Sequence, residues 1–269
     1  MEPLPTHGIL DGTCRKLQRD TDNCGKDLSL QSGLFPLRVH SLAPSRFDGK
    51  DLKQVARTSD GHEFAVKWAS DGLGIAASEW LGYRLAQACQ IAVPYSAVLV
   101  NTAGSLGFGS RIERNTVQWN TLTMGERSAV FDSCGQAMSA VIALDIFCGN
   151  VDRHGNNWLF SKNSDQKWVP FCIDFSRSLF ARRFPNDPWP IGPCATTSTQ
   201  AALKSTGHWD GPYAVFTLEQ LQRVTGDTLE HWCQDCPDEW LAASAKASLV
   251  TWWRSSEYHS RLQRSFELI

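Results

Sequence analysis

Apolar and polar positions along this chain follow two periods. In LKQVARTSDGHEFAVKW, two β-rich runs flank Ser59-Asp60-Gly61, which predicts a hairpin whose second strand ends at Lys67. IAASEWLGYRLAQACQIAVP switches to helical spacing through Leu81, Leu85, Ala88 or Cys89, and Ala92, so one amphipathic helix carries Glu79 and stops before Pro94. SAVLVN (96–101) and GFGSRI (107–112) predict two more strands. Val130, Ala137, Val141, Leu144 and Phe147 give 126–148 a helical period, and the polar stretch GNVDRHGNN follows at its C-terminal end. NWLF and WVPFCIDF predict short buried strands. The four prolines of RRFPNDPWPIGP then exclude a regular helix or central strand. The last third is helical and tryptophan-rich, whereas residues 1–33 are polar and aperiodic and predict a loosely held arm.

Composition narrows the classes. At 269 residues the chain suits two lobes of one functional unit as well as it suits one body, and size alone decides nothing further. With 26 basic and 28 acidic residues and no Lys/Arg run, there is no strong electrostatic case for nucleic acid or anionic lipid. The N-terminus lacks the basic head and apolar run of a signal peptide, and no apolar stretch is expected to approach the ~18 residues of a membrane span. Nine cysteines, most within apolar segments, point to reduced thiols. A soluble cytoplasmic chain is therefore expected. Cys233 and Cys236 have no second cysteine pair to complete a zinc site.

Phosphoryl transfer needs a lysine on the phosphates, a carboxylate holding it, a base at the acceptor, and an asparagine and an aspartate on magnesium. Lys67, Glu79, Asp152, Asn157 and Asp174 occur in that order, with Asn157 five positions after Asp152. A short loop between a helix end and a strand can aim both of the latter into one cleft. Asp174, flanked by Ile173 and Phe175, is costly to bury unpaired, and a bound cation would offset that cost. Each residue alone has a plainer reading: a solvated strand-end lysine, a surface glutamate, a polar turn capping a helix, a buried salt-bridge aspartate. The inference lies in all five together, on strand, helix, loop and strand.

ALDIFCGNVDRHGNNWLF followed by FCIDFS resembles the HipA-like kinases, with their N-x-D-x-H-x-x-N loop and following aspartate strand. HEFAVKW, SEWLGYRLAQACQIAVP and CPDEWLAASAKASLVTWWRSSEYHSRL are similar to the same family, so the resemblance spans about residues 34–265. The D-R-H-x-x-N order is shared with phosphoinositide-type kinases. The resemblance implies an α+β, bilobal protein-kinase-like fold. A small β-rich N-lobe with one key helix would occupy 34–114, including the inter-lobe connection GFGSRIER, and a mainly helical C-lobe 115–269. It implies ATP, with Ile112 and Glu113 meeting adenine, and Mg²⁺ on Asn157 and Asp174. Asp152 is favoured as base, with His154 the alternative. Asp145 is expected to be buried and bonded to the loop backbone, and Arg153 to be structural.

The chain departs from the pattern in lacking G-x-G-x-x-G and in carrying Ser176 where D-F-G has glycine. Its candidate phosphate loop is His40–Lys50, with Ser45 the expected phosphate contact and self-modification site. The proline-rich segment Arg182–Pro193, with Trp189, is expected at the cleft mouth. The favoured function is transfer to a protein serine or threonine, with a protein substrate and a regulatory partner. The alternatives are a small-molecule or lipid kinase, or a silent kinase-like binding module.

Overall fold

Thr58 and His62 face each other across the first turn: Thr58 N–H donates to the His62 carbonyl (3.0 Å) and Gly61 N–H to the Thr58 carbonyl (2.9 Å), with the Asp60 carboxylate bonding the Thr58 hydroxyl. A computed structural model describes residues 36–45 and 53–269. In it the turn joins β2 (Gln54–Thr58) to β3 (Glu63–Trp68). β1 (Leu37–Pro44), β4 (Ser96–Val100) and β5 (Leu106–Arg111) complete a closed barrel of order β1-β2-β3-β5-β4. A short parallel pairing, Leu37 with Leu99 and Arg38 with Val100, closes it. Inside lie Val39, Ala56, Phe64, Val66, Trp68 and Leu99. α1 (Ile75–Ala88) follows β3 and carries Glu79 on a buried face.

Two expectations change here. His40–Pro44 belong to β1 rather than to a loop, because their pairing with Gln54–Arg57 continues the ladder as far as Pro44. Residues 107–111 belong to β5, so the connection out of the barrel begins at Ile112. Residues 1–35, including the expected arm, and Arg46–Lys50 of the expected phosphate loop lie outside the described residues.

Beyond the connection, β6 (Val117–Gln118), β7 (Trp158–Lys162) and β8 (Trp168–Cys172) form a small antiparallel sheet. α2 (Met124–Cys148) starts with a reciprocal cap between Thr123 and Glu126. It packs against β8 and against α3 (Ala195–Ser205), α4 (Gly211–Gln222) and α7 (Ser256–Leu268). α5 (Gly226–Asp235) and α6 (Ala243–Trp253) complete the helical part. Counter to expectation, α2 is long and apolar enough to cross a membrane; its most apolar window has a mean hydropathy of 1.3 but is 72% buried within the fold. A core helix surrounded by other elements needs no polar face.

The proline-rich segment is not at the cleft mouth. α2 ends with unsatisfied carbonyls, and this segment and α7 supply their donors. Trp189 Nε1 donates to Ile146 O (2.7 Å), Arg261 Nε to Phe147 O (2.8 Å) and Arg182 Nη1 to Gly149 O (2.6 Å). Arg261 also grips the fully buried Asp187 carboxylate with two bonds, 2.5 and 2.9 Å. The anchoring demand of a buried helix end outweighs any preference of this loop for solvent.

Candidate active site

Gly149 caps α2 in the left-handed region (φ 68°) and turns the chain out of the helix into the polar loop. Arg153 fixes that loop from inside. Fully buried, it bonds Asp145 through Nε (2.6 Å) and Nη2 (3.1 Å), while Nη1 donates to the carbonyls of Asn157 (2.8 Å) and Ile173. Its guanidinium also lies over the Trp158 and Phe175 rings. Asp145 is buried, but it bonds the side chains of Arg153 and Asn150 (2.8 Å) with its carboxylate rather than the loop backbone. Helix, loop and β8 exit are thus held around one cation.

Asn157 Nδ2 donates to the Asp152 carbonyl (2.6 Å), which leaves the amide oxygen as the acceptor end of that side chain. His154 Nδ1 accepts the Asn156 N–H (3.2 Å), and its Nε2 lies 4.0 Å from Asp152 Oδ1. The other Asp152 oxygen is 3.5 Å from Arg177 Nε.

Asp174 follows β8 with φ 66°, a conformation costly for a residue other than glycine and found where surrounding contacts impose it. Here they do. Its Oδ1 accepts from Lys67 Nζ (2.8 Å), Ser176 Oγ (2.5 Å) and Ser176 N (3.1 Å). The next residue, Phe175, is wedged against α1 at Gly82, where an added methyl would come within 2.7 Å of Phe175 Cβ. Lys67, in β3, is bonded at once to Asp174 and to Glu79 Oε1, and that same Glu79 oxygen accepts the Phe175 N–H (3.1 Å).

Electrostatics follow from this geometry. Burial opposes the Lys67 charge, but Asp174 and Glu79 outweigh it and raise its pKa above the ordinary lysine value. Burial, aided by Asp174 and opposed by Lys67, pushes Glu79 up to about 7. Asp174 moves the other way: burial acts to raise it, but Lys67 and the Ser176 hydrogen bonds hold it well below the usual carboxylate range.

One cleft of about 1180 Å³ brings these groups together. Lys67, Glu79, Asp152 and Asn157 line it, as do His154, Asp174, Ile112 and Glu113. Ser45 does not line it; its N–H donates to the Lys53 carbonyl (2.9 Å) at the end of the β1–β2 pairing. Ile112 N–H is already taken by the Glu63 carbonyl (2.8 Å), so at that position the N–H is not available to a ligand. Tyr83 and Arg177 are among the lining residues that went unpredicted. Tyr83 stands one turn after Glu79, packs edge-on to Phe108 and Phe175, and shares a hydrogen bond with Ser110 (2.7 Å); its i+4 spacing from Glu79 was the available signal. Arg177 lies three residues after Asp174, where only proximity to the motif marks it.

Among the described residues no group of three His, Cys, Asp or Glu side chains forms a metal site. Asn157 and Asp174 offer one amide oxygen and one carboxylate. Such a sparse, hard-oxygen set fits Mg²⁺, which keeps several waters and shares substrate phosphates, and not a cation requiring a full protein cage.

No family model and no curated protein matches the chain. Solved structures do. The Helicobacter pylori proinflammatory kinase CtkA matches with a TM-score of 0.55 and 13% identity, over 85% of this chain and 97% of that one. HipA, in a Shewanella oneidensis MR-1 complex with HipB and operator DNA, matches at 0.47 and 13%, over 86% of this chain and 65% of that one. The maize SIRK1 kinase domain matches at 0.29 and 11%, over 84% and 86%. Taken with the strand, helix and loop order above, the likeness to CtkA shows that the chain has an α+β, kinase-like fold.

Proposed function

We propose that this chain is an ATP- and Mg²⁺-dependent phosphotransferase of HipA-like type acting on a protein serine or threonine, its cleft lying between a barrel lobe (34–114) and a helical lobe (115–269). The observation that carries this is Lys67 bonded to both Glu79 and Asp174 on the wall of a cleft onto which Asp152 and Asn157 also open. A buried lysine between two acids is a positive group held ready for phosphates, and Glu79 keeps it in place. The Ile112 carbonyl and Glu113 N–H, which have no partner among the described residues, would meet the adenine edge. Asn157 Oδ1 and Asp174 would hold Mg²⁺, which when bound neutralises charge on the β- and γ-phosphates.

Asp152 takes the proton of the acceptor hydroxyl while the new O–P bond forms and the bond from the γ-phosphorus to the ADP oxygen breaks. His154 is disfavoured as base: an Nδ1 that accepts a backbone N–H puts the neutral ring's proton on Nε2, leaving no lone pair toward Asp152. A protein acceptor is supported by exposure, since the Asp152 side chain is 37% exposed and Arg177 beside it 46%, at a mouth a polypeptide loop can reach.

The test is incubation of the chain with γ-labelled ATP, Mg²⁺ and cell extract, followed by identification of the labelled species. Phosphoserine or phosphothreonine in protein is expected. Label in lipid or a metabolite would replace the acceptor assignment, and Mg²⁺-dependent nucleotide binding without transfer would replace the enzyme by a binding module.

A further inference from the structure

Arg177 is a charged residue of the cleft that stands beside Asp152 and that phosphoryl transfer, as laid out above, does not use. The backbone on both sides of it is fixed. Phe175 is buried, and Ser178, fully buried, donates through Oγ to the Phe175 carbonyl (2.7 Å) while its own carbonyl accepts from Ser78 Oγ on α1 (3.0 Å). Val151 N–H approaches the Arg177 carbonyl (3.5 Å), so the turn after Asp174 runs alongside the loop that presents Asp152. From this base the guanidinium stands 3.5 Å from Asp152 Oδ2. Among the described residues, the remaining oxygen, Oδ1, has only the looser 4.0 Å approach of His154 Nε2. A half-exposed ion pair of this kind adds little to folding stability, but it sets a positive group against one oxygen of the base.

We infer that Arg177 is a positioning residue that holds the Asp152 carboxylate by Oδ2 and so turns Oδ1 toward the incoming acceptor hydroxyl. The inference rests on Asp152 being the base. Without the guanidinium, the carboxylate rotates freely about its Cβ–Cγ bond and spends less time aimed at the acceptor. Misplacement of a reacting group by about an ångström costs on the order of 10²-fold in rate. The loss belongs to the chemical step, not to nucleotide binding, because Arg177 contacts neither Lys67 nor Glu79. Geometry rather than charge alone is required, so lysine, a point charge without the planar fork, replaces it only in part.

The experiment compares label transfer from γ-labelled ATP into cell-extract protein by the full chain, R177A, R177K and D152A, with melting temperatures measured alongside. R177A should lower the maximal rate roughly 10²-fold with the KM for ATP within about threefold of wild type and the melting temperature nearly unchanged. R177K should fall between, and guanidinium ion at non-denaturing concentration should restore part of the R177A rate and none of the D152A rate. An R177A rate within about threefold of wild type, or a loss shared equally by ATP binding and melting temperature with no rescue, overturns the inference while leaving the kinase reading standing. A wild-type chain that transfers nothing overturns both.

Discussion

Lys67 cannot be understood apart from the two acids that flank it, and their opposite shifts have opposite consequences. The folded chain holds a proton on Glu79 up to about pH 7, whereas an unfolded glutamate releases it near 4.5. A raised acid pKa means the folded state binds the proton more tightly, so this contribution is fully present below 4.5 and is lost as pH rises through about 7. Asp174, depressed below the ordinary 3.8, titrates outside that window. The nucleotide-free wild type should therefore lose melting temperature between pH 4.5 and 7 more steeply than E79Q; parallel profiles would contradict the burial argument. In catalysis, D152A and D174A should each cost on the order of 10²-fold or more in transfer, and folded variants that keep near-wild-type turnover would remove the assignment. Motif order and spacing assembled five of these cleft residues, Lys67, Glu79, Asp152, Asn157 and Asp174, and the family resemblance added His154, Ile112 and Glu113. Both missed Tyr83 and Arg177, because i+4 spacing from Glu79 and nearness to Asp174 fit a core aromatic and a surface arginine equally well.

At the scale of elements, regular periodicity was legible and termination was not. The hairpin, α1, α2, β7 and β8 follow from spacing, because a half-buried strand or helix must repeat its apolar face. β1 did not, since most of its residues are exposed and no alternation marks them. The proline-rich segment was rightly irregular but wrongly located, because its anchor, Arg261, lies 74 positions from Asp187 in sequence. That anchor has a measurable weight. Removing one partner of a buried pair leaves the other charge uncompensated, so R261M or D187N should each cost about 3 kcal/mol or more in urea unfolding. Nucleotide affinity should change far less, as neither residue lines the cleft; a large affinity loss with unchanged stability would return this segment to the cleft mouth.

For the whole molecule, the sequence motifs conveyed the class of fold but not how its parts meet. The meeting depends on Gly82 admitting Phe175 against α1 and on Lys67 reaching across to Asp174, contacts between residues about a hundred positions apart. A ligand that engages β3, α1 and the segment after β8 that carries Asp174 should stabilise all of them together. Mg²⁺-ATP at a hundred times its dissociation constant should add about 2.7 kcal/mol to unfolding, seen as a raised melting temperature. D174A should abolish the magnesium-dependent part; an equal rise with and without Mg²⁺ would deny Asp174 that role.

Arg153 bears on what happens before any ligand arrives. By joining Asp145 on α2, the Asn157 carbonyl and the Ile173 carbonyl, one side chain removes the independent motion of three stretches of backbone. Fixing a residue's backbone costs roughly 1–2 kcal/mol of conformational entropy. That loss is incurred during folding, where burial of the core offsets it. On the proposed function, a nucleotide entering the cleft would meet a catalytic loop and a segment after β8 already in register, so that its binding free energy would be left for affinity instead of being consumed in ordering the protein.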